Sequence, residues 1–138
     1  MCGIAGIVTR THGDVVRSMT DVLAHRGPDG EGFYRDESVA LGHRRLSIID
    51  LDGGAQPIGN ETGTLQLVAN GEIYNFPELR PRLEAAGHVF KTDTDIETIL
   101  HLYEEHGPDC VRHLRGMFAF ALWDAEKRQL LLARDHLG

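Results

Sequence analysis

Cysteine is scarce in this sequence: Cys2 and Cys110 are the only two in 138 residues, too few for a disulfide scaffold. Long apolar runs are missing too, and none approaches the roughly 18 residues that suggest a membrane span. The leading Met-Cys-Gly-Ile-Ala-Gly-Ile-Val has no basic flank and only a short apolar stretch, so it does not read as a secretory signal. Basic residues are outnumbered, 14 Lys and Arg against 21 Asp and Glu, for a net charge of -7. Such a surface repels phosphate backbones, and nucleic acid is not an expected partner. Arg44-Arg45 is the one clear cationic doublet. Neither H-E-x-x-H nor C-x-x-C occurs among the eight histidines and two cysteines, so no metal site is expected. No G-x-x-x-x-G-K loop is present to cradle a nucleotide. A reducing cytoplasm is the expected home, with no membrane association.

What remains is an ordinary globular composition, 41% apolar and 25% charged, in a length that suits one domain with one real core. Gly3 to Val8 reads as a short buried strand. Val15, Val16, Met19, Val22 and Leu23 recur at helical spacing, with a helix end near Ala24-His25. His25-Arg26-Gly27-Pro28-Asp29-Gly30 is a turn. Gly32 to Arg35 and Val39 to Arg45 read as paired strands, Leu46 to Leu51 as another, and Gly53 to Gly63 as loop. Leu65 to Ala69 alternates as a strand should. Leu79, Leu83 and Ala86 suggest a helix ending at Gly87, and His88 to Thr92 a strand. Ile96, Ile99, Leu100 and Tyr103 form an apolar helical stripe behind Asp93 or Thr94 as N-cap. Met117 to Trp123 and Gln129 to Ala133 form a hairpin. His101 and His106 fall off the helical register and read as solvated, and Cys110 as a small packed hydrophobe. The ending Arg134-Asp135-His136-Leu137-Gly138 runs straight out of a strand, which suggests a longer parent protein.

Three groups of residues could carry chemistry. If Met1 is removed, Cys2 places a thiol and an α-amine on one residue. An α-amine titrates near pH 7.7–8.0 and can act as the base for that thiol. Taken alone, Met-Cys-Gly reads better as a structural cysteine. Asn70-Gly71 reads as a turn, yet an Asn amide beside a Gly N–H also makes an oxyanion hole. Arg45 and Asp95 suit the carboxylate and ammonium of an amino acid. Each also has a plain reading, as a surface ion pair and a helix-dipole partner.

Together, the segments resemble a known family, the class II glutamine amidotransferases, which are N-terminal nucleophile hydrolases. Met1 to Gly6 is similar to their nucleophile strand, and His25-Arg26-Gly27-Pro28-Asp29 to their glutamine loop. Arg45-Leu46-Ser47-Ile48-Ile49-Asp50, Gly54-Ala55-Gln56-Pro57 and Asn70-Gly71-Glu72-Ile73-Tyr74-Asn75 resemble the asparagine synthetase branch. So do Gly116-Met117-Phe118-Ala119-Phe120-Ala121 and Arg134-Asp135-His136-Leu137-Gly138.

The resemblance implies an α+β fold, a four-layer αββα sandwich in which residues 1–138 form an incomplete glutaminase domain. It implies Cys2 as nucleophile, with Asn70 and the Gly71 N–H holding the oxyanion. Arg45 would bind the substrate α-carboxylate, Glu72 and Asp95 its α-ammonium, and main-chain groups of Leu46 and Ile48 would line the pocket. L-Glutamine would be hydrolysed through a Cys2 thioester without a metal. The ammonia would serve an ATP- and magnesium-dependent synthetase domain that converts aspartate to asparagine and is not contained in this chain. A homodimer is compatible with the sequence. Two other readings stay open: an amidotransferase serving another acceptor, and an inactive fragment that only binds glutamine.

Overall fold

The computed structural model describes residues 2–46 and 54–138. The elements in chain order are β1 (Gly3–Val8), α1 (Val15–Asp21), β2 (Gly30–Arg35), β3 (Val39–Arg45), β4 (Ile58–Gly59) and β5 (Leu65–Ile73). There follow α2 (Phe76–Ala85), a 3-10 turn (Asp95–Glu97), α3 (Thr98–His106), a second 3-10 segment (Gly107–His113), β6 (Gly116–Asp124) and β7 (Gln129–Arg134). The strands form two antiparallel sheets, ordered β1-β3-β2 and β4-β5-β6-β7.

The alternation of β5 explains the layering. Leu65, Leu67, Ala69 and Ile73 point to one face and join Leu79 and Leu83 of α2, Ile99 and Leu100 of α3, and Phe120 and Leu122 of β6. Val68 points to the other face and meets Val39, Leu41, Ala121 and Trp123. A strand shows opposite faces at successive residues, so β5 belongs to two cores at once. On the far side of the smaller sheet, α1 packs its buried Val16 and Thr20. The order from outside to outside is helix, sheet, sheet, helices: the αββα sandwich that the resemblance implied. Among the described residues no helix is long and apolar enough to cross a membrane.

Several local expectations change. Asn70-Gly71 is no turn, because β5 continues through Ile73 with Asn70 opposite Ala119 and Gly71 opposite Phe118. Long pairing with β6 overrides the local preference of Asn-Gly. Gly71 is required there all the same: its φ is 148°, and a Cβ would run into the Met117 carbonyl. His88 to Thr92 is not a strand. Its Lys91 and Thr92 N–H groups donate to the Glu97 carboxylate at 2.8 and 2.7 Å, so no strand partner is needed. Helix α1 stops at Asp21, with Val15 at its start and Val22 just past its end both exposed, and the region read as loop after Gly53 contains the short strand β4. The stripe read near Ile96 begins as the 3-10 turn and becomes α3 only at Thr98. Cys110 is buried as expected, and burial pushes its thiol up to about 11. Within the strand read at Leu46 to Leu51, only Leu46 is described, and it lies just past the end of β3.

Candidate active site

The antiparallel register brings the start of β1 beside the end of β3, with Gly3 opposite Arg44. Cys2 therefore stands next to Leu46, whose N–H reaches the Cys2 Sγ at 3.4 Å. Arg26 fixes the same residue from the other side: its Nε donates to the Cys2 carbonyl at 3.1 Å. The turn carrying Arg26 is laid against β3. Asp29 N–H donates to the Arg45 carbonyl at 3.0 Å, and a Cβ on Gly27 would collide with the Arg44 backbone. Cys2 is thus held at both its sulfur and its backbone carbonyl.

These contacts border a cleft of about 100 Å³ at one end of the sandwich. Cys2, Arg45, Leu46, Asn70, Gly71, Glu72 and Asp95 all line it. Of the site residues read from the sequence, Ile48 lies outside the described residues. Strand β1 supplies the approach to Cys2, β3 leads into Arg45 and Leu46, β5 supplies Asn70 to Glu72, and the 3-10 turn supplies Asp95. Gln56, Thr94, Ile96 and Met117 also border the cleft and were not singled out as site residues. Gln56 stood in the Gly54-Ala55-Gln56-Pro57 motif, which was the only signal for it. Its Oε1 accepts the Ala69 N–H at 2.6 Å, tying the cleft wall to β5.

The electrostatics of the cleft are uneven. Its charged lining among the described residues is the Arg45 guanidinium and the Glu72 and Asp95 carboxylates. Asp95 is buried and accepts the Ile73 N–H on Oδ2. Burial pushes its carboxyl above the ordinary range, nearby Glu72 adds to the push, and the Ile73 N–H opposes it. A buried carboxylate facing a second one is stabilised by a cation placed between them. One guanidinium and two carboxylates on the same cleft match the charges of a zwitterionic amino acid.

Behind the cleft, His43 crosses from one sheet to the other and donates from Nε2 to the Ala69 carbonyl at 3.2 Å. Burial lowers it to about 4, despite the opposing hydrogen bond, and Arg45 adds to the lowering. It is neutral at pH 7 and braces the residue just before Asn70.

Compared with known proteins, residues 1–138 match the family described as the glutamine amidotransferase domain. The chain belongs to that family. Among curated proteins, members related to it include asparagine synthetase [glutamine-hydrolyzing] 1 of Bacillus subtilis, 42% identical over 145 residues. Asparagine synthetase B of Escherichia coli is 44% identical over 143 residues, and a probable asparagine synthetase of Dictyostelium discoideum 45% over 144. All of this chain is covered in each case, but it spans only 23%, 26% and 26% of those proteins. The family fold recurs in glutamine phosphoribosylpyrophosphate amidotransferase from Bacillus subtilis. That structure matches with a TM-score of 0.76 at 18% identity, over 98% of this chain and 37% of the other.

Proposed function

We propose that this chain hydrolyses L-glutamine and that its ammonia serves an ATP-dependent synthetase domain of the asparagine synthetase type. The observation that carries the reading is the convergence, on one cleft, of the Cys2 thiol, Asn70-Gly71, one guanidinium and two carboxylates. The likeness to the glutamine-hydrolysing relatives supports the same substrate and, beyond it, aspartate amidation as the use of the ammonia.

In this reading Met1 is removed and the Cys2 α-amine takes the thiol proton. The sulfur attacks the side-chain carboxamide carbon of glutamine, and the resulting oxyanion is held by the Asn70 amide and the Gly71 N–H. Collapse breaks the C–N bond. Ammonia leaves with the proton that the amine held, and a γ-glutamyl thioester remains on Cys2. Water adds to the thioester, the C–S bond breaks, and glutamate departs with the thiol restored. Arg45 clamps the α-carboxylate, while Glu72 and Asp95 hold the α-ammonium; Leu46 and Ile48 contribute main-chain contacts. The sequence of bonds made and broken calls for no metal, and ATP with magnesium belongs to the synthetase domain. Two cysteines without a disulfide between them suit the cytoplasm.

The test is a glutaminase assay that counts glutamate and ammonia together. The wild-type chain should release them in equal amounts, and Cys2→Ala should lower turnover by on the order of 10⁶. Unchanged turnover in Cys2→Ala would rule the reading out.

A further inference from the structure

Away from the cleft, the segment between α2 and α3 folds over one side of α3 and closes on a second cluster of titratable groups. His101 of α3 is fully buried, contrary to its reading as solvated. The ring of His88 lies 4.9 Å from that of His101, and the ring of Phe90 4.4 Å from it. The Nδ1 atoms of both histidines converge on one oxygen: Glu104 Oε2 is 3.0 Å from His88 Nδ1 and 2.9 Å from His101 Nδ1. Glu61 stands close to the same two rings: one of its carboxylate oxygens and one ring nitrogen of each histidine lie within 4.8 Å of one another.

The opposite ring atoms carry the stronger hint. His88 Nε2 faces Glu105 Oε1 at 3.3 Å. His101 Nε2 faces Glu97 Oε1 at 3.7 Å, an ion-pair distance too long for a hydrogen bond, and is buried with no hydrogen-bond partner. Each imidazole therefore presents Nδ1 to a shared centre and Nε2 to its own carboxylate. In metal-ligating histidines one nitrogen takes the ion and the other N–H goes to a carboxylate that fixes the tautomer; Glu105 stands in that place for His88, and Glu97 is within ion-pair distance for His101. With Nε2 protonated toward Glu97 and Glu105, both Nδ1 lone pairs would point at the negative Glu104 oxygen. The centre then needs either a proton on each Nδ1 or one dication in their place.

We propose that His88, His101, Glu61 and Glu104 form a binding site for a zinc-like divalent transition metal, which pins the His88–Lys91 segment onto α3. Two imidazoles and two carboxylates make an N2O2 set suited to tetrahedral zinc, whose ligand distances of about 2.0–2.2 Å require the exposed Glu61 carboxylate to swing in toward the two rings. The hard cations magnesium and calcium prefer all-oxygen sets. Glu61 is exposed and His88 partly so, which gives an ion a path from solvent to the buried His101. The site is separate from the glutamine cleft and does not depend on its chemistry.

The test is calorimetric titration of the chelator-stripped chain with zinc chloride, in a Cys2→Ala background so that the nucleophile thiol takes no part. Cobalt(II) serves as a spectroscopic replacement. One equivalent of zinc should bind with release of protons, and cobalt should give the intense visible bands of a tetrahedral site. His88→Ala and Glu61→Ala, both at solvent-accessible positions, should each weaken zinc at least tenfold while keeping the circular dichroism of the parent. Glutaminase activity of the same substitutions in the Cys2-containing chain should be unchanged. A flat zinc titration, or full affinity in both variants, would overturn the proposal.

Discussion

Asp95 and Glu97 sit on a single 3-10 turn, both buried, and their surroundings drive them in opposite directions. Asp95 faces the cleft, where burial and Glu72 raise its carboxyl above the ordinary range. Glu97 faces the other way. Burial alone would raise it too, but the His101 imidazole and the Lys91 and Thr92 donors bring it down to about 2. Glu97 accepts the Lys91 N–H on one oxygen and both the Thr92 N–H and hydroxyl on the other, so folding supplies its partners. Asp95 has backbone donors and a like charge beside it. The comparison separates a structural carboxylate from one suited to receive a ligand cation, although neither sequence position nor burial distinguishes them.

The largest effect expected after loss of the nucleophile itself is on the cleft side. Asn70→Ala should lower kcat by on the order of 10²–10³ in the glutaminase assay with little change in stability, because the proposed mechanism then loses one oxyanion donor. Full activity in that variant would remove Asn70 from its proposed role. Next comes the structural side. Glu97→Gln puts an amide N–H₂ where only acceptors fit and removes the negative charge 3.7 Å from His101, and should lose about 3 kcal/mol in urea unfolding. A loss much below that would mean the Lys91–Thr92 segment is held by something else.

Asp95→Asn should show the contrasting pattern. Its amide oxygen can still accept the Ile73 N–H, so folding should change little, while KM for glutamine should rise roughly ten- to a hundredfold with loss of a charged hydrogen bond. A stability loss as large as that of Glu97→Gln would erase the distinction drawn between the two.

The last effect, comparable in size to the others, is on pH dependence. His43 is lowered to about 4, so it favours the fold above its unfolded value of 6.5, and this contribution is lost as pH falls toward 4. Glu97 follows at more acid pH, its contribution present above 4.5 and lost as pH falls toward about 2. Asp95 has the opposite sign, since protonating it relieves a buried charge. Urea midpoints measured from pH 7 to pH 4 should therefore decline, and His43→Gln should flatten that decline.

The sequence exposed those features whose causes are local. Strand β1 has the bounds expected for it, because a short apolar run without helical spacing has one reading. The β6–β7 hairpin and the buried stripe Ile96, Ile99, Leu100 and Tyr103 follow from period and turn chemistry in the same way. Cys2, Asn70-Gly71, Arg45 and Asp95 stood out by their own chemistry, each beside a plainer reading, but only the resemblance joined them into one site and added Leu46 and Glu72, since no spacing rule links them. Features set by distant parts of the chain stayed hidden. Asn70-Gly71 looks like a turn until β6 is laid beside it. His101 looks solvated until His88 and Phe90 fold over α3, and no motif links histidines 13 positions apart in a loop and a helix. The brace from Arg26 to the Cys2 carbonyl depends in the same way on a turn packing against β3.

The most direct measurement is to treat the chain with an electrophilic glutamine analogue and map the adduct by peptide mass spectrometry. The account predicts a single adduct on Cys2, at an N-terminus from which Met1 has been removed, and protection by free L-glutamine. No adduct on a chain already lacking Met1, or labelling of Cys110 in place of Cys2, would contradict it.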